Sequence, residues 1–204
     1  MSISNEVLEA AKRVEAAKGV SAAVLLAVAI VETNGRAFAQ VGTRREPLIR
    51  FEGHYFDRLL TPEARKVARL AGLSSAKAGQ IRNPAGQEAR WRMLERAAAI
   101  DPDAAYASTS WGLGQVMGSH WARLGYASAP DLASAARRSA DGQFELTARF
   151  LESGRLAARL TARDWAGFAR AYNGPAFAAN GYHRKIESAY RQAVRLLAKH
   201  AVVA

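Results

Sequence analysis

A glutamate at the end of a long apolar segment is the first candidate for acid chemistry. Glu32 follows residues 22–31, which carry no charge, and Asn34-Gly35 just beyond it form a helix stop signal. Apolar neighbours and the negative end of a helix dipole both disfavour a carboxylate, so both raise its pKa. The position therefore predicts a carboxyl group that keeps its proton near neutral pH, as a general acid must. The alternative is a solvated glutamate at a frayed helix end.

A second carboxyl group follows a short strand candidate. Glu52 comes directly after residues 48–51, which are mainly apolar. Glycoside hydrolysis uses two carboxyl groups: one protonates the leaving oxygen, and the other activates water or stabilises the developing positive charge. The segment between Glu32 and Glu52 is long enough to bring the two groups face to face. The other interpretation is that Glu52 belongs to the polar side of an alternating strand.

A glycine-rich segment carries the third set of candidates. Residues 108–118 contain three glycines in an otherwise helical pattern, which predicts a helix over residues 110–124. Glycine weakens a helix, so its presence here indicates close approach of backbone or ligand. Gln115 could then hydrogen-bond an acetamido or hydroxyl group, with Trp111 as a stacking face for a sugar. The alternative is a tightly packed pair of helices with a buried tryptophan.

A polar turn flanked by aromatic residues is the fourth candidate. Tyr172-Asn173-Gly174-Pro175 follows a helical pattern, and Tyr182 comes shortly after it. A helix that runs into such a turn can line a groove for a polar, chain-like ligand. Taken alone, the segment is a loop with good turn chemistry.

The elements that must position these residues are almost all helical. The pattern predicts a mainly α fold, with one small β-hairpin over residues 41–52 that turns at Gly42-Thr43. Residues 71–84 are rich in Gly, Ser and Lys and predict an exposed loop. We expect one domain over residues 1–204, or two closely packed lobes. One helix is predicted between a Ser4 cap and a Gly19 stop, a second from residue 22 to a stop near Asn34-Gly35, and a third that starts at Pro62 after a Thr61 cap. Further helices are predicted at residues 54–60, 86–100, 110–124, 139–153 and 164–172, and a last one after residue 175 to about residue 199.

Composition excludes several classes of protein. The chain has no cysteine, so thiol catalysis, a zinc-thiolate site and a disulfide scaffold are excluded. The four histidines are scattered without the spacing of a helical zinc site, so we expect neither metal nor cofactor. The formal net charge of +11 favours contact with polyanions. The basic residues are spread over most helices, so nucleic-acid binding ranks last among the hypotheses.

The same sequence bears on where the chain works. The longest apolar run, residues 22–31, is far shorter than the roughly 20 residues that span a bilayer. Acidic residues among the first 20 are atypical of a signal peptide. We therefore expect a protein made in the cytoplasm, which needs a separate means of release if its target lies outside the membrane.

Together, these segments resemble the lysozyme-like superfamily and, more closely, the N-acetylmuramidase domain of phage and prophage endolysins. The resemblance covers roughly residues 20–195 and predicts an α+β lysozyme-like fold. Relatives often have Glu-Ser-x-Gly where this chain has Glu32-Thr33-Asn34-Gly35, and threonine keeps the hydroxyl group. The matching segments are VETNG at 31–35, FEGHYF at 51–56, SWGLGQVMG at 110–118, DWAGFA at 164–169, YNGP at 172–175 and GY at 181–182.

The resemblance implies a function and roles for residues. It implies a β-1,4-glycosidase acting between N-acetylmuramic acid and N-acetylglucosamine of peptidoglycan, with Glu32 as general acid and Glu52 as second carboxylate. The rivals are a lytic transglycosylase, which uses the sugar's own 6-hydroxyl, and a catalytically silent wall-binding or virion structural protein. The residues expected to contact sugar are His54, Trp111, Gln115, Tyr172, Asn173 and Tyr182.

The C-terminal segment suggests an additional partner. Residues 184–204 carry five Lys or Arg against one acid, interleaved with apolar residues. As an amphipathic helix, this segment could disturb an anionic outer membrane. The alternative is a packed terminal helix with a basic outer face. Many members of the family that the chain resembles also carry a separate N-terminal wall-binding module. We expect a monomer without one, whose affinity for the wall comes from the groove and the basic surface.

Overall fold

The computed structural model describes residues 3–203 and begins with two helices whose ends match the sequence signals. Helix α1 is Asn5–Lys18, capped by the Ser4 side chain and ended by Gly19 in the left-handed conformation. Helix α2 is Ala22–Thr33 and ends at Asn34, also left-handed, whose N–H binds the carbonyl groups of Ala29 and Ile30. Both predicted helices are confirmed.

Helix α2 is the centre of the first hydrophobic cluster. Its residues from Ala22 to Ile30 are all buried, as expected for a helix that is apolar on every side. The long C-terminal helix α11, Tyr182–Val203, packs along it. The apolar face of α11 meets α2 through residues such as Ile186 and Ala193, both fully buried. Helix α2 thus presents Glu32, its second-last residue, at the edge of this cluster.

Two small sheets follow α2, where a single hairpin was predicted. Strands β1, Phe38–Val41, and β2, Arg44–Pro47, form the predicted hairpin around Gly42-Thr43. Strand β3, Ile49–Phe51, instead joins a second antiparallel sheet in the order β3-β4-β5. The mainly α fold with a small β region beside α2 is confirmed, with two sheets in place of one.

Side-chain amides complete the outer edge of β3. Asn83 accepts from the N–H of Phe51 at 2.9 Å and donates to its carbonyl oxygen at 2.6 Å. Gln87 forms the same pair of bonds with Ile49. Strand β3 is therefore hydrogen-bonded on both edges, which fixes the strand that leads into Glu52.

The prediction of a helix over residues 110–124 is wrong. This segment forms strand β4, Thr109–Trp111, a four-residue turn, strand β5, Val116–Met117, and a short 3-10 helix, Gly118–His120. Gly112 and Gln115 have φ of 63° and 47°, which interrupt any helix. The glycines do mark close approach of other atoms. A Cβ at Gly112 would lie 2.7 Å from Cγ of Gln143, and one at Gly114 would overlap the Thr147 hydroxyl.

The other helices are α3 Gly53–Leu59, α4 Pro62–Leu70, α5 Gln87–Ala98, α6 Pro102–Ala107, α7 Ala129–Arg138, α8 Ala140–Ser153, α9 Leu156–Thr161, α10 Trp165–Asn173 and a 3-10 turn, Pro175–Ala178. Helices α3 to α7 surround a second hydrophobic cluster, which contains Phe51, Trp91 and Trp111. Helices α8, α9 and α10 pack mainly against the first cluster, around α2. Residues 71–84 contain no regular element, as predicted. No helix in the described part of the chain is long and apolar enough to cross a membrane.

Candidate active site

Glu32 lies at the end of α2 with its carboxyl group held by a tyrosine. The hydroxyl group of Tyr182, at the start of α11, donates to Oε1 of Glu32 at 2.5 Å. Burial among apolar residues raises the pKa of Glu32. The hydrogen bond from Tyr182 and the charges of Arg50 and Lys185 oppose that rise without cancelling it. Glu32 is therefore biased toward the protonated form that a general acid needs.

An aromatic stack supports this arrangement from behind. The Tyr182 ring stacks on Tyr172 at 6.2 Å between centroids, and Tyr172 stacks on Phe168 at 5.1 Å. The Tyr172 hydroxyl donates to the carbonyl oxygen of Gly114 at 2.6 Å. Burial and the nearby Glu32 carboxylate raise the pKa of Tyr182 and Tyr172, so both hydroxyl groups stay protonated as donors. The stack links α10 and α11 to the β4–β5 turn.

Glu52 lies between β3 and α3. Its N–H donates to the carbonyl oxygen of Ser108 at 2.8 Å, which ties it to the start of β4. Its side chain is 21% exposed and so can meet solvent or substrate. Oε1 of Glu52 accepts from Nε of Arg50 at 2.8 Å, and Oε2 lies 3.6 Å from Nδ1 of His54.

Arg50 connects the two carboxyl groups, and the sequence reasoning missed it. Its guanidinium group binds Glu52, while its charge also lowers the pKa of Glu32. Arg50 thus binds Glu52 directly and acts on Glu32 through its charge. The only signal in the sequence is an arginine two residues before Glu52, which is the same-face spacing of a strand.

Gln115 occupies the turn between β4 and β5. Its side-chain amide donates to the carbonyl oxygens of Leu48 and Gly112, at 3.1 and 2.9 Å, and so braces the turn against the segment before β3. Its Oε1 accepts no hydrogen bond within residues 3–203. The predicted sugar contact can therefore come only from this acceptor oxygen, since both amide hydrogens are already used.

Gln143 on α8 is a second residue that sequence reasoning missed. It accepts from the N–H of Leu113 at 3.0 Å and donates to the carbonyl oxygens of Ala37 and Ala136, both at 3.1 Å. A buried amide that joins three segments holds the β4–β5 turn in place beside Glu32. Nothing in the local sequence of α8 marks this role.

Two of the expected sugar contacts need correction. Trp111 is fully buried, packed against Tyr106 and Trp91, so it is a core residue and offers no stacking face to a sugar. Tyr182 is 5% exposed and its hydroxyl group is bound to Glu32, so its contact is with the acid. Asn173 is exposed at the end of α10, and His54 is partly exposed beside Glu52.

Comparison with known proteins assigns the chain to a family. The family model described as Muramidase, N-acetylmuramidase, matches residues 21–194. The chain belongs to the N-acetylmuramidase family. The muramidase also resembles a solved structure, the crystal structure of Burkholderia AP3 phage endolysin, at 32% identity and a TM-score of 0.75. That match covers 92% of the muramidase and 71% of the endolysin chain. No curated protein matches the muramidase.

Membership of this family makes the muramidase a glycoside hydrolase that degrades peptidoglycan. Glycoside hydrolysis calls for a proton donor and a second carboxyl group. The described part of the chain holds no cluster of three or more His, Asp or Glu side chains suited to a metal ion.

The Tyr182 hydrogen bond gives a prediction about pH dependence. A general acid works in its protonated form, so activity falls as pH rises through the pKa of Glu32. The bond from Tyr182 lowers that pKa. We therefore expect Tyr182→Phe to move the alkaline limb of the kcat–pH profile to higher pH. The control is Tyr172→Phe, which removes a hydroxyl group that binds Gly114 and not Glu32. The alkaline limb of its kcat–pH profile should stay at the wild-type position. If the alkaline limb of Tyr182→Phe does not move, or moves to lower pH, the hydrogen bond from Tyr182 does not lower the pKa of the group that limits activity.

Proposed function

We propose that the muramidase cleaves the β-1,4 bond between N-acetylmuramic acid and N-acetylglucosamine, with Glu32 as general acid. The observation that carries this proposal is the carboxyl group of Glu32, whose pKa is raised by burial while Tyr182 holds its orientation. Glu32 donates its proton to the leaving glycosidic oxygen as positive charge develops on the sugar carbon. The protonated form is the reactive one, and the apolar surroundings favour it.

Glu52 supplies the second carboxyl group in this proposal. It is partly exposed, and Arg50, whose charge also reaches Glu32, holds it in place. A carboxylate so placed either activates water or stabilises the positive charge on the sugar. The Glu52 carboxylate accepts a hydrogen bond from Arg50 and lies near His54, whereas burial raises the pKa of Glu32, so the two carboxyl groups have different surroundings. A transglycosylase needs no second carboxylate, so Glu52 favours hydrolysis.

The residues around the carboxyl groups provide the contacts with sugar. The acceptor oxygen of Gln115 suits the N–H of an acetamido group. Asn173 is an exposed polar residue at the end of α10, and His54 is a partly exposed one in the first turn of α3. Tyr172 is half-buried within the aromatic stack, and its hydroxyl group binds Gly114, so its part in this proposal is to support the cleft. No nucleic acid or cofactor takes part in this proposal.

The products of cleavage test the proposal directly. Purified peptidoglycan is digested with wild-type protein, and the released fragments are identified by mass. Hydrolysis yields fragments that end in reducing muramic acid. Fragments lighter by one water have anhydro ends and would establish a lytic transglycosylase instead. A protein that releases no fragments would be a silent wall-binding or virion structural protein.

We also propose that the muramidase serves as a phage or prophage endolysin. The structural similarity to the AP3 phage endolysin supports this role. In this role, residues 1–204 act as one monomeric catalytic domain on peptidoglycan of the periplasm or cell wall. A separate membrane pore releases the protein from the host cytoplasm. Affinity for the wall comes from the catalytic cleft and from the basic surface.

Helix α11 contributes part of that basic surface. Its apolar face is buried against α2, so this face does not insert into a membrane. Its outer face carries Arg195 and Lys199, which are exposed and form no ion pair in the part of the chain that the structure describes. We infer that α11 contacts an anionic outer membrane through charge.

Vesicle binding tests this contact. Arg195→Gln/Lys199→Gln should weaken binding to vesicles rich in phosphatidylglycerol by roughly tenfold or more, since each basic residue contributes about 1 kcal/mol near such a surface. Lys66→Gln/Arg155→Gln removes the same charge from exposed positions on other elements and should have a smaller effect. Equal losses in both variants would mean that only the net charge matters.

A further inference from the structure

A basic groove runs along α11 beside the catalytic glutamate. It lies between the end of α2 and the first three turns of α11, and its volume is about 530 Å³. Ile30 and Val31 of α2 and Ala189 of α11 form its apolar floor. Arg184, Lys185 and Gln192 of α11 form its polar rim. Neither Glu32 nor Glu52 lines the groove, and the proposed cleavage does not involve it.

The groove begins at the catalytic acid. Tyr182, which binds Glu32, lies three residues before Lys185, so the two share a face of α11 one turn apart. The charge of Lys185 lowers the pKa of Glu32, which places the rim close to the carboxyl group. From Tyr182 to Gln192 the helix rises by roughly 15 Å. An extended peptide of four or five residues spans about 13–18 Å.

The rim carries uncompensated positive charge. Arg184 and Lys185 are exposed, and neither forms an ion pair within residues 3–203. Many other arginines of the described chain do pair with acids, as Arg191 does with Glu187 on another face of the same helix. Two adjacent free cations above an apolar floor suit a ligand with carboxylate groups and small apolar side chains.

We propose that this groove binds the stem peptide of peptidoglycan, which is attached through the lactyl ether of muramic acid. This inference rests on the proposed cleavage next to muramic acid, because the peptide then leaves the cleft beside Glu32. Arg184 and Lys185 bind the carboxylate groups of the peptide. Ile30, Val31 and Ala189 contact the methyl groups of its alanine residues. The groove thus adds recognition of the peptide to recognition of the sugar chain.

The experiment compares two substrates that differ only in the peptide. One is a preparation of glycan chains with their stem peptides, and the other is the same preparation stripped of peptides by an amidase. Wild-type protein should cleave the peptide-bearing chains with the higher kcat/KM. In Arg184→Gln/Lys185→Gln, the ratio of kcat/KM between the two substrates should fall by roughly tenfold, as expected for the loss of charge-assisted bonds.

The ratio isolates the groove from catalysis. Loss of Lys185 also changes the pKa of Glu32, but this acts equally on both substrates at one pH and cancels in the ratio. Lys66→Gln/Arg155→Gln removes two positive charges from exposed positions that do not line the groove, and it should keep the wild-type ratio.

Two results would overturn the inference. Wild-type protein could cleave both substrates equally well, or the groove variant could lose the same factor on both. Failure of the proposed function has a different signature, because neither substrate would then yield fragments that end in reducing muramic acid.

Discussion

Glu32→Gln should lower the rate of glycan cleavage by roughly 10²–10⁴-fold, the range typical of a lost general acid. Glutamine keeps the size of the side chain and can still accept the hydrogen bond from Tyr182. It has no acidic proton to transfer to the leaving oxygen. The measurement is the initial rate of release of reducing muramic acid ends from purified peptidoglycan, followed by mass analysis.

A matched variant separates this effect from a general loss of folding. Glu15→Gln changes an exposed glutamate on α1 and should retain the wild-type rate. Glu32→Gln should unfold in denaturant at least as late as the wild type, because it removes a buried acid whose ionised form is disfavoured. A stable Glu32→Gln protein with wild-type activity would show that another group donates the proton.

Glu52→Gln is expected to have the second-largest effect, a loss of about 10²-fold or more. Glutamine cannot deprotonate water and cannot stabilise positive charge on the sugar. In the wild-type protein the guanidinium group of Arg50 binds the Glu52 carboxylate at 2.8 Å, and the substitution removes the charge of this partner. The measurement is again the rate of release of reducing ends, with the mass of the fragments to show whether water is still added.

Azide tests whether Glu52 activates the attacking water molecule. Azide attacks the sugar carbon without losing a proton, so it can replace a water molecule that needs activation. We expect azide to raise the rate of Glu52→Gln but to leave Glu32→Gln slow, since the leaving oxygen of that variant still lacks a proton. If Glu52→Gln keeps full activity and releases anhydro ends, the enzyme is a transglycosylase and Glu52 is not required.

Caps, stops and turns in the sequence predicted the elements whose ends are set by neighbouring residues. The Ser4 cap, the Gly19 stop and the stop at Asn34-Gly35 act within one turn of the backbone, and the structure has α1 and α2 where these signals place them. The hairpin turn at Gly42-Thr43 has the same local origin. The raised pKa of Glu32 was also predictable, because an uncharged helix of this length has to be buried.

The segment around Trp111 shows where local reasoning failed. Its apolar spacing fits a helix, but β3 offers it a partner with free hydrogen-bonding groups, and residues 109–111 pair with it as a strand. Gly112 and Gln115 then take left-handed conformations to turn the chain back. Pairing between distant strands decided this segment, and the same pairing buried Trp111.

The sequence alone was enough to predict the apolar helix α2 and the acid at its end, because periodicity and caps act over a few residues. The groups that surround this acid come together only through tertiary packing. Tyr182 lies 150 positions from Glu32 and reaches it because α11 packs along α2. The charge of Arg50 acts on Glu32 as well as on Glu52 because the packing of β3 places this strand near the end of α2. Contacts between distant segments depend on how whole elements pack, and spacing along the chain does not encode them.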